Sequence, residues 1–188
     1  MFPDTPIVSQ FRPISCPNTL FLDRDGVLNE VVLRGEKVSS PQCVGEFRIA
    51  DDIAALADSD FVNNWNLIVV SNQPDLSRGL IGLELIEEIN RLILARIPLN
   101  SAYICPHLQT ENCLCRKPKT GLIQQFYKDN PMHKGKELLV GDRLVDLECA
   151  ANAGIDSALI RREYNSEVTS ANFHIDNLWS LVQTLKNL

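Results

Sequence analysis

The run Thr19-Leu20-Phe21-Leu22-Asp23-Arg24-Asp25-Gly26-Val27-Leu28-Asn29 is the most informative stretch of this 188-residue chain. Apolar residues lead into two carboxylates set two positions apart, and a glycine then turns the chain away. Thr19 to Asp23 reads as a buried strand with an acid at its end. The same grammar recurs in Leu67-Ile68-Val69-Val70-Ser71 and in Leu138-Leu139-Val140-Gly141-Asp142. Shorter versions are Ala102-Tyr103-Ile104 and Ser157-Ala158-Leu159-Ile160. Amphipathic segments lie between them. Helices are predicted over 51–57 with Asp51 as cap, over 83–97 with Pro98 as the stop, over 121–128, over 144–152 with Gly154 as C-cap, and over 178–185. Unbroken apolar strands that alternate with helices predict an α/β fold, a doubly wound parallel sheet covered on both faces. Ligands of such sheets bind outside the carboxyl ends of the strands. That rule alone brings Asp23, Ser71 and Asp142 to one rim.

Composition bounds the rest. The chain carries 18 Lys and Arg against 24 Asp and Glu, a net charge of −6, with 45% apolar residues. One domain over residues 1–188 is expected, large enough to bury a core without staples. The acidic balance argues against nucleic acid and anionic membranes, both of which call for a basic face. It leaves room for a small anionic substrate met by a local basic pocket. No apolar run approaches the ~20 residues of a membrane helix, and the first residues hold no signal-peptide core. A cytoplasmic monomer is the expectation. No large insertion separates the strands, so no cap domain is expected either.

Six cysteines are present, and Cys105, Cys113 and Cys115 fall within eleven residues together with His107. In a chain of this size without a secretion signal, metal is a better reading than disulfides. Cys16, Cys43 and Cys149 stand alone and read as small buried hydrophobes. His133 and His174 read as surface residues. GxxxxGK[ST] and GxGxxG are both missing, so neither usual nucleotide cradle is present.

A lone DxD often marks a solvated loop. Here it follows a strand and has distant partners. The run Asp23 to Asn29 resembles the DxDGxxN motif of the haloacid dehalogenase (HAD) superfamily of phosphotransferases. Ser71, Lys117 and Gly141-Asp142-Arg143-Leu144-Val145-Asp146 resemble its remaining stations, in order. The Cys-Pro-His and Cys-x-Cys-Arg-Lys-Pro segments resemble the zinc-containing branch, which holds heptose-bisphosphate and histidinol-phosphate phosphatases. The resemblance covers residues from about 19 to 162 and implies a Rossmann-like HAD core with a zinc-binding loop.

The resemblance implies Mg²⁺ held by Asp23, the backbone carbonyl of Asp25, and Asp142, which offsets the repulsion between a carboxylate and a phosphate dianion. It implies Asp23 as nucleophile and Asp25 as general acid and base. Ser71 and Lys117 would bind the transferring phosphoryl group, and Asp146 would support the site rather than ligate the metal. Arg24, Asn72, Gln73, Arg78 and Arg116 are candidates for substrate binding. Cys105, His107, Cys113 and Cys115 make a closed tetrahedral zinc set with no open position, so the zinc is structural. Arg116 and Lys117 follow it directly, and the metal loop would present both to the substrate.

The implied activity is Mg²⁺-dependent hydrolysis of a small phosphate ester through an aspartyl-phosphate. D-glycero-D-manno-heptose 1,7-bisphosphate, losing its 7-phosphate, is the first candidate. Asn72-Gln73-Pro74-Asp75-Leu76-Ser77-Arg78-Gly79 keeps the Arg-Gly ending of the heptose enzymes. Histidinol phosphate is the alternative, because Pro74-Asp75 and Gly35-Glu36-Lys37-Val38 depart from the heptose pattern. Arg34 and Lys37 are candidates for a second phosphate. A catalytically silent, zinc-stabilised interaction domain is the alternative of a different class.

Overall fold

The computed structural model describes residue 2 and residues 4–186. Nine strands are assigned among them: β1 Ile7–Gln10, β2 Asn18–Leu22, β3 Val32–Arg34, β4 Lys37–Ser39, β5 Trp65–Asn72, β6 Ser101–Cys105, β7 Glu137–Gly141, β8 Asp156–Ile160 and β9 Phe173–Ile175. The α-helices are α1 Ser59–Val62, α2 Leu83–Leu94, α3 Gly121–Asp129, α4 Leu144–Ala153 and α5 Leu178–Lys186. Seven strands form one sheet in the order β1-β6-β5-β2-β7-β8-β9, and β3 and β4 form a separate hairpin. Every pair in the large sheet is parallel except the edge pair β1 with β6.

Side-chain alternation explains the unbroken apolar strands. Leu20 and Leu22 on β2, with Leu67 and Val69 on β5, point into a core roofed by α2 and α5. Phe21, Ile68, Val70 and Leu139 point to the other face, against Leu122, Ile123 and Phe126 of α3 and Cys149 and Ala150 of α4. Neither strand face meets water, so both are largely apolar, and the buried polar residues Thr19 and Asn66 are hydrogen-bonded. The doubly wound reading therefore holds, with one antiparallel edge strand added.

Local departures have local causes. The segment expected as a helix from Asp51 is a 3-10 turn, Ile53–Ala57. Asp52 is drawn away to accept from the Leu178 backbone N–H at 2.5 Å, at the start of α5. Asp58 instead caps α1, accepting from Phe61 N–H. α2 stops at Leu94, short of Pro98, because Ile97 and Leu99 must turn into the core ahead of β6. Gly154 closes α4 at φ 72°, as the left-handed position requires. His133 is not a surface residue. Its side chain is 3% exposed, packs edge-on to Phe126 at 5.4 Å and bonds Thr19 Oγ1 at 3.0 Å. Of the three lone cysteines only Cys149 is buried; Cys16 is half-buried and Cys43 exposed. No helix among the described residues is long and apolar enough to cross a membrane.

Candidate active site

β2, β5 and β7 lie side by side, and the chain leaves all three at the same edge of the sheet. Asp23, Ser71 and Asp142 are thereby delivered to one cleft rim, with exposures of 9%, 1% and 0%. Lys117 arrives from the loop before α3. Its ammonium lies 3.0 Å from Asp23 Oδ1 and 2.5 Å from Asp146 Oδ1. Burial alone would lower the Lys117 pKa, but Asp146 and Asp23 outweigh it and hold the ammonium charged.

Asp25 is held by several donors. The Arg24 guanidinium forks onto both its oxygens at 3.1–3.2 Å. Asn29 Nδ2 donates at 2.9 Å, Ser40 Oγ at 2.8 Å and Gln73 Nε2 at 2.7 Å. Burial pushes the Asp25 pKa up, yet Arg24 and these donors together bring it below the ordinary carboxylate range. Gly26, at φ 87°, lets the turn pass so close to Asp142 that a Cβ would collide with its carboxylate.

Three of the residues expected to meet substrate have other duties. Arg24 is fully buried and spends its guanidinium on Asp25. Gln73 is fully buried too, donating to both Asp25 and Ser71 Oγ. Asn72 braces Lys117, accepting from its N–H at 3.0 Å and donating to its carbonyl at 3.1 Å. In each case a polar side chain beside a buried charge bonds that charge or its backbone; of the three, Asn72 also lines the cleft. Arg78 and Arg116 do line the cleft. Arg78 Nη1 donates to Asp75 at 2.6 Å, and Arg116 Nη1 to the His107 carbonyl at 3.1 Å.

The acids fit a divalent cation. Asp23, Asp142 and Asp146 each offer an oxygen within 4.8 Å of the others. Burial pushes Asp142 up from the ordinary range, and the charges of Asp23 and Asp146 add to it. Burial raises Asp146 as well. The Lys117 ammonium offsets only part of the charge of these three buried carboxylates, so the cluster is short of positive charge. Asp146 is committed: Oδ1 meets Lys117, and Oδ2 accepts from Arg143 N–H at 3.1 Å. Asp142 Oδ1 and Asp146 Oδ1 are both buried without a hydrogen-bond partner, but only the latter faces the Lys117 ammonium.

The cysteine cluster fits zinc. Cys105, His107, Cys113 and Cys115 are all buried, with donor atoms within 4.8 Å of one another. Sγ–Sγ separations of 3.6–3.7 Å and Sγ–Nδ1 separations of 3.2–3.6 Å approach the edges of a tetrahedron with bonds of about 2.0–2.3 Å. Hydrogen bonding from Cys115 lowers the Cys105 thiol to about 6 and raises Cys115 itself. The bond that favours one thiolate disfavours the other, so Cys105 and Cys115 do not both ionise unaided.

Features invisible in the sequence complete the cleft. The β3–β4 hairpin hangs over it, turning at Gly35 with φ 65°. Arg34 pairs with Glu46 at 2.5 Å, and Gln42 Nε2 donates to Asp75 at 2.9 Å. Ser40 closes onto Asp25, as described. No motif marks Ser40 or Gln42, because both lie in a polar loop of ordinary composition. The cavity has a volume of about 880 Å³, within the range of small-molecule sites. Its walls carry seven Lys and Arg against four Asp, a basic patch on an acidic protein.

Comparison with known proteins agrees with this geometry. Residues 114–183 match the HAD-hydrolase-like family model. A Thermoplasma acidophilum protein named "Probable D-glycero-D-manno-heptose-1,7-bisphosphate 7-phosphatase" is 31% identical over 150 residues, covering 76% of this chain and 89% of that one. The histidine biosynthesis bifunctional protein HisB of Campylobacter jejuni subsp. doylei is 29% identical over 161 residues, 81% of this chain and 45% of its own. Among solved structures, the D,D-heptose 1,7-bisphosphate phosphatase of B. bronchiseptica, complexed with magnesium and phosphate, superposes with a TM-score of 0.76 at 23% identity. That match covers 90% of this chain and 98% of that one. With a DxDGxxN turn, a buried lysine and a GDxxxD box converging on one rim, this chain belongs to the HAD-like hydrolase family, among its phosphatases.

Proposed function

We propose that this protein hydrolyses D-glycero-D-manno-heptose 1,7-bisphosphate at its 7-phosphate, with Mg²⁺ and a structural zinc. The observation that carries the reading is the buried Asp23–Lys117–Asp146 array beside the donor-held Asp25, at the mouth of a basic cleft.

The Asp23 carboxylate attacks phosphorus in line and forms an aspartyl-phosphate, as the alkoxide leaves. Lys117 and Ser71 hold phosphoryl oxygens where charge gathers in the transition state. Gln73 already donates to Ser71 Oγ, which leaves the hydroxyl proton for the phosphoryl group. Asp25 is ionised at rest, and an arriving phosphate dianion beside it favours its protonated form. It then gives that proton to the leaving oxygen and takes one from the water that cleaves the intermediate. Asp23, the Asp25 carbonyl and Asp142 Oδ1 would hold Mg²⁺, which lowers the repulsion between nucleophile and dianion.

Specificity comes from the hairpin and the zinc loop. Arg34 is already matched by Glu46, so Lys37 and Arg116, with Lys119 and Arg143 also on the wall, are the cations available for a second phosphate. A cleft rich in cations suits a bisphosphate better than the cationic amine of histidinol phosphate, the substrate class that the HisB relatives bring into view. The deciding experiment is phosphate release from a panel of heptose bisphosphate, histidinol phosphate and simple sugar phosphates. The expected result is a kcat/KM for the heptose bisphosphate at least tenfold above the others. Preference for histidinol phosphate would overturn the substrate assignment, and no release from any ester would overturn the enzyme reading.

Zinc removal tests the loop. Gln73 N–H donates to the Cys105 carbonyl at 2.7 Å, and Ser77 N–H to the Pro106 carbonyl at 3.3 Å. The metal loop therefore braces the segment after β5 as well as Lys117. Stripping zinc is expected to lower activity about tenfold or more, while Mg²⁺ still binds at Asp142. Turnover unchanged in a zinc-free preparation would show that the metal is dispensable.

A further inference from the structure

We propose that Tyr164 is a positioning residue for the divalent-cation site: it occupies Oδ2 of Asp142, so that Oδ1 alone is presented as the ligand atom. The inference rests on the phosphatase reading above, and no sequence motif points to this residue.

The segment that follows β8 reaches back under the site with three side chains. Arg162 donates from Nε and Nη2 to the Gly26 carbonyl, at 3.2 and 2.9 Å. Asn165 Nδ2 donates to the carbonyls of Asp142 and Ile160, at 2.7 and 2.8 Å. Tyr164 Oη donates to Asp142 Oδ2 at 2.5 Å. Asn165 Oδ1 closes the turn by accepting from Arg162 N–H at 2.8 Å. One short turn thus ties the Asp25–Gly26 bend to the end of β7, the two pieces of backbone whose relative placement sets the cation site.

Packing does not account for Tyr164. The residue is 37% exposed, whereas Asp142 is fully buried. An exposed ring whose hydroxyl ends on a buried carboxylate is placed for the hydrogen bond. Gly26 leaves no slack, since a Cβ there would collide with both the Asp142 carboxylate and the Tyr164 hydroxyl. With Oδ2 engaged, the carboxylate cannot rotate freely about its last bond, and Oδ1, buried and without a partner, keeps one direction. A ligand oriented in this way binds its cation without reordering, and removing such an outer contact lowers metal affinity by about 10–100-fold.

The test is calorimetric titration of Mg²⁺, with Mn²⁺ binding followed by electron paramagnetic resonance. Wild type, Asp142→Asn and Tyr164→Phe are compared as zinc-loaded full chains. Wild type should bind one ion at the acidic cluster and Asp142→Asn should lose it; failure of that pair would overturn the cation-site reading itself. Given that pair, Tyr164→Phe should bind at least tenfold more weakly, and its deficit in phosphate release should shrink as Mg²⁺ is raised. Affinity equal to wild type would overturn the role of Tyr164. Melting without Mg²⁺ checks the fold. If Tyr164→Phe fails to fold, Tyr164→His, which keeps a ring donor, is titrated instead. Binding that depends on that donor's presence supports the role, and wild-type affinity after further truncation to Tyr164→Leu removes it.

Discussion

Asp23→Asn is expected to lower phosphate release by a factor on the order of 10⁴ or more while the protein folds as before. Asparagine keeps the shape of the side chain and can still accept from Arg24 N–H, the bond seen at 2.8 Å. It cannot attack phosphorus. Lys117 retains Asp146 at 2.5 Å as a partner, so the buried ammonium is not abandoned. The charge of Asp23 also raises the pKa of both Asp142 and Asp146. Removing that charge relieves repulsion, and the variant should melt no lower than wild type in the absence of Mg²⁺. Stability and activity therefore move apart. A variant with full residual activity refutes the nucleophile, and one that fails to fold points to a structural duty instead.

Lys117→Met should do the reverse, losing both. The ammonium sits between two carboxylates, its side chain 1% exposed. Methionine fills similar volume but leaves Asp23 and Asp146 facing each other across a buried space. Breaking a buried pair from one side costs about 3–5 kcal/mol. Melting in the absence of Mg²⁺ should fall accordingly, and activity should be lost at any Mg²⁺ concentration. The double variant Lys117→Met with Asp146→Asn removes one of the stranded charges and should recover much of the stability but none of the activity. If the single variant melts like wild type, Lys117 is not the counter-charge of this site. If the double variant regains turnover, it is not the phosphoryl ligand either.

Both predictions concern residues that stand out in the chain itself. Asp23, Ser71 and Asp142 each end an apolar strand run, and strands buried on both faces are apolar along most of their length. Their carboxyl ends must share an edge, because the crossovers between them are helices. The core of the fold and the side chains that meet at the cleft rim were therefore legible as local pattern. The Cys/His cluster was legible for a similar reason: its four residues lie within eleven positions, and folding keeps them together.

What pattern could not convey is the use of polar side chains next to buried charge. Arg24, Asn72 and Gln73 look like substrate ligands because they adjoin the reacting residues in sequence. In the folded protein adjacency has the opposite effect, since a donor beside a buried carboxylate satisfies it first. Arg24 and Gln73, both fully buried, turn to Asp25, and Asn72, on the cleft wall, holds the Lys117 backbone. His133 was misread for a related reason. Its neighbours in the chain are polar, yet Thr19 and Phe126, far off in sequence, enclose its ring. Ser40, Gln42 and Tyr164 are the reverse case. Each lies in an ordinary polar loop and acquires its role from a partner 15 to 33 residues away. The chain announces which residues are candidates to react, because residue type and strand position are properties of the sequence. Which residues hold them in place emerges on folding, because hydrogen bonds to buried charge are made by whatever donor the completed packing brings within 3 Å.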